Sequence, residues 1–336
     1  MNQETIKNIM LRAKERDTGN LEPNHIKTAL VVQGGTLRSV ASCGSAAALN
    51  QLGLTNAFDT VYGASSGAVN AAYFLTEQAA LGVTVYTEDV NNRRFLNFLR
   101  LKKMMDLEFF FDEIVQDRKL HNFSALKKHP TELKIITADL ETAETVWLSS
   151  KDDTINIYDA LKAGCALPIV YGRGVRIGNH LYVDGFMKEP MPILTPIESD
   201  YTDILVLMTQ HISVRRSNHV SLFSRLLVEP IVKKQLGGEL FALYQSRWER
   251  YNRGLDIMQA GAYQGKNGRT VRIAYICPDV DFQAGKYETD GELLARAAYS
   301  AWRNCLKAFG TIDGIERVDF DAMLSKAKQA NKSLLS

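Results

Sequence analysis

A strand-like run, a glycine break and a helix of small residues occur twice within the first 76 residues. That repetition restricts the chain to few folds. Thr28–Val32 (TALVV) is short, apolar and β-branched, so it reads as a buried strand. Gly34-Gly35 breaks it, and residues 42–52 follow as a small-residue helix closed by Gly53. Residues 58–62 then read as a second strand, Gly63-Ala64-Ser65-Ser66-Gly67 as a turn, and residues 68–75 as a helix. This rhythm favours an α/β fold: a mostly parallel central sheet with helices on both faces and ligand groups at strand ends.

Further strands are expected at residues 133–137, 145–148, 204–208 and 271–276. Residues 3–16 read as an amphipathic helix with Ile6, Ile9, Met10 and Ala13 on one face. Residues 219–260 read as helical with a break at Gly237-Gly238. Residues 291–309 form a strong amphipathic helix, and the tail from Asp319 is helical and polar. The divisions are residues 1–26 as an N-terminal helix and linker, 27–210 as a catalytic core, and 211–336 as a helical C-terminal part with one further strand, packed on the same domain.

Composition excludes several classes. Lys and Arg total 40 against 38 Asp and Glu, so no basic field argues for nucleic acid. Cys43, Cys165, Cys277 and Cys305 are far apart and form no C-x-x-C pair, so reduced thiols are expected, with no metal and no cofactor. The N-terminus lacks an apolar signal region, and no run of 18 apolar residues exists. A cytoplasmic chain is therefore the expectation, peripheral to a membrane at most. The sequence leaves oligomeric state open.

Gly63-Ala64-Ser65-Ser66-Gly67 fits G-x-S-x-G. A serine between strand and helix sits on a sharp turn that presents its hydroxyl, with small residues two before and two after it. The new helix points its N–H groups at developing negative charge. Ser66 lacks a glycine two positions before it and is assigned to packing or capping. Upstream, Gln33-Gly34-Gly35-Thr36-Leu37-Arg38 can turn backbone N–H donors outward to hold an oxyanion. It is not a P-loop, since no G-K-[ST] follows, and its glycine spacing is not that of a dinucleotide site. Asp184-Gly185 ends an apolar run, where an aspartate can accept the serine proton directly or hold a histidine that does.

Taken together, these pieces resemble the patatin-like phospholipase family in order and spacing. The family's G-G-G-x-R-G turn corresponds to Gly34-Gly35-Thr36-Leu37-Arg38-Ser39, its G-x-S-x-G to Gly63 through Gly67, and its D-G-[GA] to Asp184-Gly185-Phe186. Residues 133–140, with 144–148, and Ala163-Gly164-Cys165-Ala166-Leu167-Pro168 are similar to supporting stretches. The resemblance implies a three-layer α/β/α fold and a Ser65–Asp184 dyad without a catalytic histidine. It also implies an oxyanion hole from Gly34, Gly35 and Thr36, motif support from Arg38, Gly63, Gly67 and Gly185, and an acyl lipid or phospholipid as substrate. Arg38 is expected to brace the turn. Thr36 and Ser39 replace glycines, and Phe186 replaces a small residue. A positive φ at Thr36 would strain a β-branched residue.

Two other readings stay open. A conventional Ser–Asp–His hydrolase would take His211 or His219 as its base, and a lipid-binding member of the same fold would have no catalysis. The apolar-basic stretch 95–111 reads either as a core-facing helix or as a membrane-surface segment. Arg215-Arg216 reads as a solvated loop or as a basic loop for head groups.

Overall fold

The computed structural model describes residues 2–19, 26–100, 103–119, 121–172, 174–218, 224–265, 268–281, 284–311, 314 and 316–336. Its strands are β1 (Thr28–Val32), β2 (Thr60–Gly63), β3 (Glu132–Asp139), β4 (Thr145–Ser149), β5 (Val175–Ile177), β6 (His180–Asp184), β7 (Asp203–Leu207), β8 (Ala262–Gln264) and β9 (Thr270–Ile276). They form one sheet in the order β5-β6-β3-β2-β1-β7-β9-β8, with β4 also paired to β3. The strands β3-β2-β1-β7-β9 run parallel, and the flanking pairs are antiparallel.

Every residue of β1 and β7 is buried. This explains their unbroken apolar character, because both faces of the sheet are covered. Leu30 and Val32 enter one core, while Ala29 and Val31 enter the other. The register pairs Val32 with Gly63, so β1 and β2 end side by side.

The Val40–Gln51 helix is buried along almost its whole length. It lies between the sheet core and the helix Gly291–Ala308. A β-carbon on Gly44 would fall 2.3 Å from the Ala298 carbonyl oxygen. Ser45 donates to the Ala301 carbonyl at 3.2 Å, and the Trp302 indole N–H donates to Gln51 at 3.0 Å. Small residues in the Val40–Gln51 helix thus admit the Gly291–Ala308 helix.

Several expectations need correction. Met10 is 48% exposed, because the buried stripe of the Gln3–Thr18 helix runs through Ile6, Ile9 and Ala13 and leaves Met10 past its edge. The stretch 95–111 is not one helix. Asp106 N–H donates to the Phe95 carbonyl, the Asn97 N–H donates to the Met104 carbonyl, and a helical segment begins only at Leu107. Side chains compete with the helix there: Asn97 accepts from the Leu99 N–H, and Arg100 donates to the carbonyls of Arg93 and Arg94. Beyond residue 211 the described chain holds two strands, β8 and β9, where one was expected. The break at Gly237 is present, with φ 76° and ψ 177°. His25, His219 and residues 220–223 lie outside the described residues. All four cysteines are free. Among the described residues no helix is long and apolar enough to cross a membrane.

Candidate active site

Two tight turns leave the neighbouring ends of β1 and β2. Ser65 occupies the second, with φ 52° and ψ −137°. A non-glycine residue rarely adopts that conformation. Its side chain makes no capping bond to the Ser66–Leu75 helix, so the hydroxyl stays available. A β-carbon on Gly67 would lie 2.3 Å from the Val32 carbonyl oxygen, and one on Gly63 2.4 Å from the Ala68 α-carbon. Strand and helix can pass this closely only with glycine at both places.

The glycine turn after β1 folds against this elbow. Thr209 supports it, with its N–H donating to Gln33 Oε1 at 2.8 Å and its hydroxyl within 3.3 Å of the Gly34 carbonyl. The Gly35 N–H donates to the Ser66 hydroxyl at 3.2 Å, and that hydroxyl lies 2.7 Å from the Ser39 hydroxyl. Ser66 therefore ties turn to helix, a role beyond the packing or capping assigned to it. The Gly34 and Thr36 N–H groups donate to no partner among the described residues. Thr36 takes φ 57°. Thr36→Gly should release that strain and raise unfolding free energy by about 1 kcal/mol, read from the urea midpoint. A lower midpoint would show that the threonine is not strained.

Asp184 ends β6, held opposite Thr137 of β3, and its N–H donates to the Ala166 carbonyl at 3.1 Å. The side chain is 1% exposed. Oδ1 accepts from the Phe186 N–H at 2.9 Å, whereas enclosed Oδ2 accepts no hydrogen bond. Burial pushes the carboxyl up to about 6; the nearby Ser65 hydroxyl, the Phe186 N–H and Lys286 oppose that rise. Ser65 is thus close enough to act on the carboxylate, though short of ordinary hydrogen-bond geometry.

Ser65, Asp184, Gly34, Gly35, Thr36 and Arg38 line one cavity of about 590 Å³. Gly185 lies beside it, against Ile136. The Arg38 guanidinium packs against the turn, 3.4 Å from where a β-carbon on Gly35 would sit. It makes no side-chain hydrogen bond among the described residues, and its Nε is buried without a partner. Burial, then the charge of Arg216, lowers its pKa to about 10.

Arg216, Arg247 and Lys286 line the same cavity. Arg216 donates to Gln210 at 2.6 Å, while Arg215 turns away to Asp256. Arg247 stacks 3.7 Å above the Tyr244 ring, and Lys286 stands 5.5 Å from the Phe186 ring. Two acids line the cavity, Asp184 and Glu189. Glu189 is engaged by the Thr195 N–H and hydroxyl, and burial pushes it up to about 6. Arg247, Trp248 and Lys286 escaped the sequence reading, while Arg216 was at least visible as part of a basic pair.

Among the described residues no histidine lines the cavity. His211 Nδ1 lies 2.8 Å from the Ser213 hydroxyl, and His180 pairs with Asp139 at 2.7 Å.

The patatin-like phospholipase model matches residues 30–197, half of the 336-residue chain. The chain belongs to the patatin-like phospholipase family. The patatin-like match includes the glycine turn, Ser65 and Asp184, and it ends before Arg216, Arg247 and Lys286. Of the four cations that line the cavity, all but Arg38 therefore come from outside the matched segment. An uncharacterized Escherichia coli K12 protein, YjjU, is 23% identical over 203 residues, covering 57% of this chain and 56% of its own. The chain thus spans little more than half the length of that curated relative. VipD from Legionella pneumophila aligns over 93% of this chain and 75% of its own, with 9% identity and a TM-score of 0.41, a likeness too distant to weigh.

Proposed function

We propose that this patatin-like chain is a serine-dependent hydrolase of acyl-lipid esters, with Ser65 as nucleophile and Asp184 as its base. One observation carries the reading: a half-buried serine in a disfavoured conformation lines one cavity with an enclosed carboxylate whose pKa is pushed up to about 6. A base with that value is ionised at neutral pH and still able to take a proton.

Ser65 Oγ attacks the ester carbonyl carbon and passes its proton to Asp184. The oxyanion lies at the Gly34 and Thr36 N–H groups, with the Ser66–Leu75 helix dipole behind it. Gly35 contributes by fixing the turn, since its N–H is bonded to Ser66. Collapse breaks the ester C–O bond, and the proton goes to the leaving alcohol. Water then attacks the acyl-enzyme, again with Asp184 taking the proton; collapse breaks the acyl–Oγ bond, that proton returns to Ser65 Oγ, and the acid product departs. The loose Ser65–Asp184 contact tightens when substrate enters.

Arg38, Arg216, Arg247 and Lys286 suit an anionic leaving group such as a lipid phosphate. Phe98 and Leu99, 54% and 87% exposed, are apolar groups that would meet a lipid surface, and the Phe98 ring packs 5.1 Å from that of the cavity residue Tyr287. The test is butyrate release from dibutyryl phosphatidylglycerol and from an uncharged butyrate ester. Arg216→Gln should lower kcat/KM on the anionic lipid by about tenfold, with a smaller effect on the uncharged ester. Equal losses on both substrates would remove Arg216 from head-group recognition. His211→Ala should leave both rates unchanged.

A further inference from the structure

A second hollow opens at Ser65, on the apolar side. Its mouth is formed by Thr36, Ser65 and Ser66, and its walls by Tyr86, Val90, Phe95, Met105, Leu107 and Phe110. Each of the six wall side chains is at most 7% exposed. The hollow has a volume of about 30 Å³, against about 590 Å³ for the cationic cavity. On this measure about 10–15 Å³ holds one water, so the cleft has room for two or three heavy atoms.

Two spaces thus meet at one hydroxyl, one carrying four cations among apolar groups and the other walled by aromatic and aliphatic groups. An ester placed there has its two arms sorted by solvation. The charged arm is excluded from a dry cleft walled by aromatic and aliphatic groups, because nothing in those walls compensates its desolvation. The acyl arm loses nothing on entering it. The tightly packed walls resist expansion, since interiors have few voids and overpacking costs free energy.

We infer that this cleft is the acyl subsite and that its walls, Met105 foremost, restrict the enzyme to short acyl groups. The inference rests on the Ser65 reading. Met105 is singled out because its unbranched side chain fills gaps rather than shaping them. Its backbone is held independently, the N–H donating to the Val170 carbonyl at 2.9 Å. Shortening the side chain therefore lengthens the cleft without releasing the segment. The carbonyl carbon stays at Ser65 while the larger cavity takes the leaving group.

The experiment measures kcat/KM of the full chain on p-nitrophenyl acetate, butyrate, octanoate and palmitate, with fluorophosphonate labelling in parallel. Wild type should prefer acetate and butyrate, falling by about tenfold or more at octanoate, as expected for methylenes that do not fit a pocket. Met105→Ala should raise the octanoate-to-acetate ratio by about tenfold. Val90→Ile adds a methylene to the opposite sense and should lower the butyrate-to-acetate ratio, which keeps the test alive if Met105→Ala unfolds. A labelled enzyme that cuts octanoate or palmitate as well as butyrate, or folded variants with unchanged ratios, would overturn the acyl-subsite assignment alone. Absence of both labelling and hydrolysis would overturn the Ser65 reading, and this assignment with it.

Discussion

Ser65→Ala is expected to lower ester turnover by about a million-fold, the scale on which serine hydrolases lose rate when the nucleophile is removed. The fold should survive, because alanine keeps the β-carbon and the serine side chain makes no capping bond. Ser65→Gly should abolish turnover as well, and it should also stabilise the protein by about 1 kcal/mol, since glycine accepts φ 52° without strain. Stability and activity would then move in opposite directions at one residue, as strain held for function requires. Hydrolysis retained in either variant would mean that another group attacks the ester.

Asp184→Asn should also reduce turnover by about 10,000-fold, for want of a base. Its effect on stability has a definite sign. Burial raises the folded carboxyl from an ordinary 3.8 to about 6, so the folded chain binds this proton more tightly than the unfolded one. The resulting stabilisation is complete below the unfolded value and is lost as pH rises through about 6. Ionisation of the buried group then costs about 3 kcal/mol at neutral pH. Asparagine never ionises, and its Oδ1 can keep the bond from the Phe186 N–H. The variant should therefore match wild type near pH 4 and melt at higher temperature above pH 7. Wild-type kcat/KM should rise as pH passes about 6 and then level off. Thermal unfolding and rates across pH 4–8 check both statements; a variant less stable than wild type at pH 8 would contradict the burial argument.

The parallel core was legible because β1 and β7 carry short, nearly continuous apolar runs, a pattern suited to strands covered on both faces. The placement of Ser65 after β2 was legible from the G-x-S-x-G spacing instead. β5 and β8 are three residues each, too short to show any periodicity. The stretch 95–111 was misread because its apolar density suits a helix, while the asparagine and arginine bonds that fold it back leave no periodic trace.

The site was legible only along one wall. The glycine turn, the elbow and the aspartate are local motifs, each tied to a strand end. Arg247 and Lys286 arrive from distant segments, and each looks in sequence like any solvated cation. The positive φ at Thr36 is different: the sequence poses the question, through a threonine in a glycine position, and the backbone answers it. The exchange between Ser66 and Gly35 could not be read at all, because it depends on which way one hydroxyl points.

The central claim is that one buried carboxylate activates one serine. The direct measurement treats the folded full-length chain with a fluorophosphonate and locates the adduct by peptide mass spectrometry across pH 4–8. A single adduct on the Ser65 peptide, forming faster as pH passes about 6 and far more slowly in Asp184→Asn, is the result expected. An adduct on another residue, or labelling of Ser65 at the same rate without the aspartate, would contradict it.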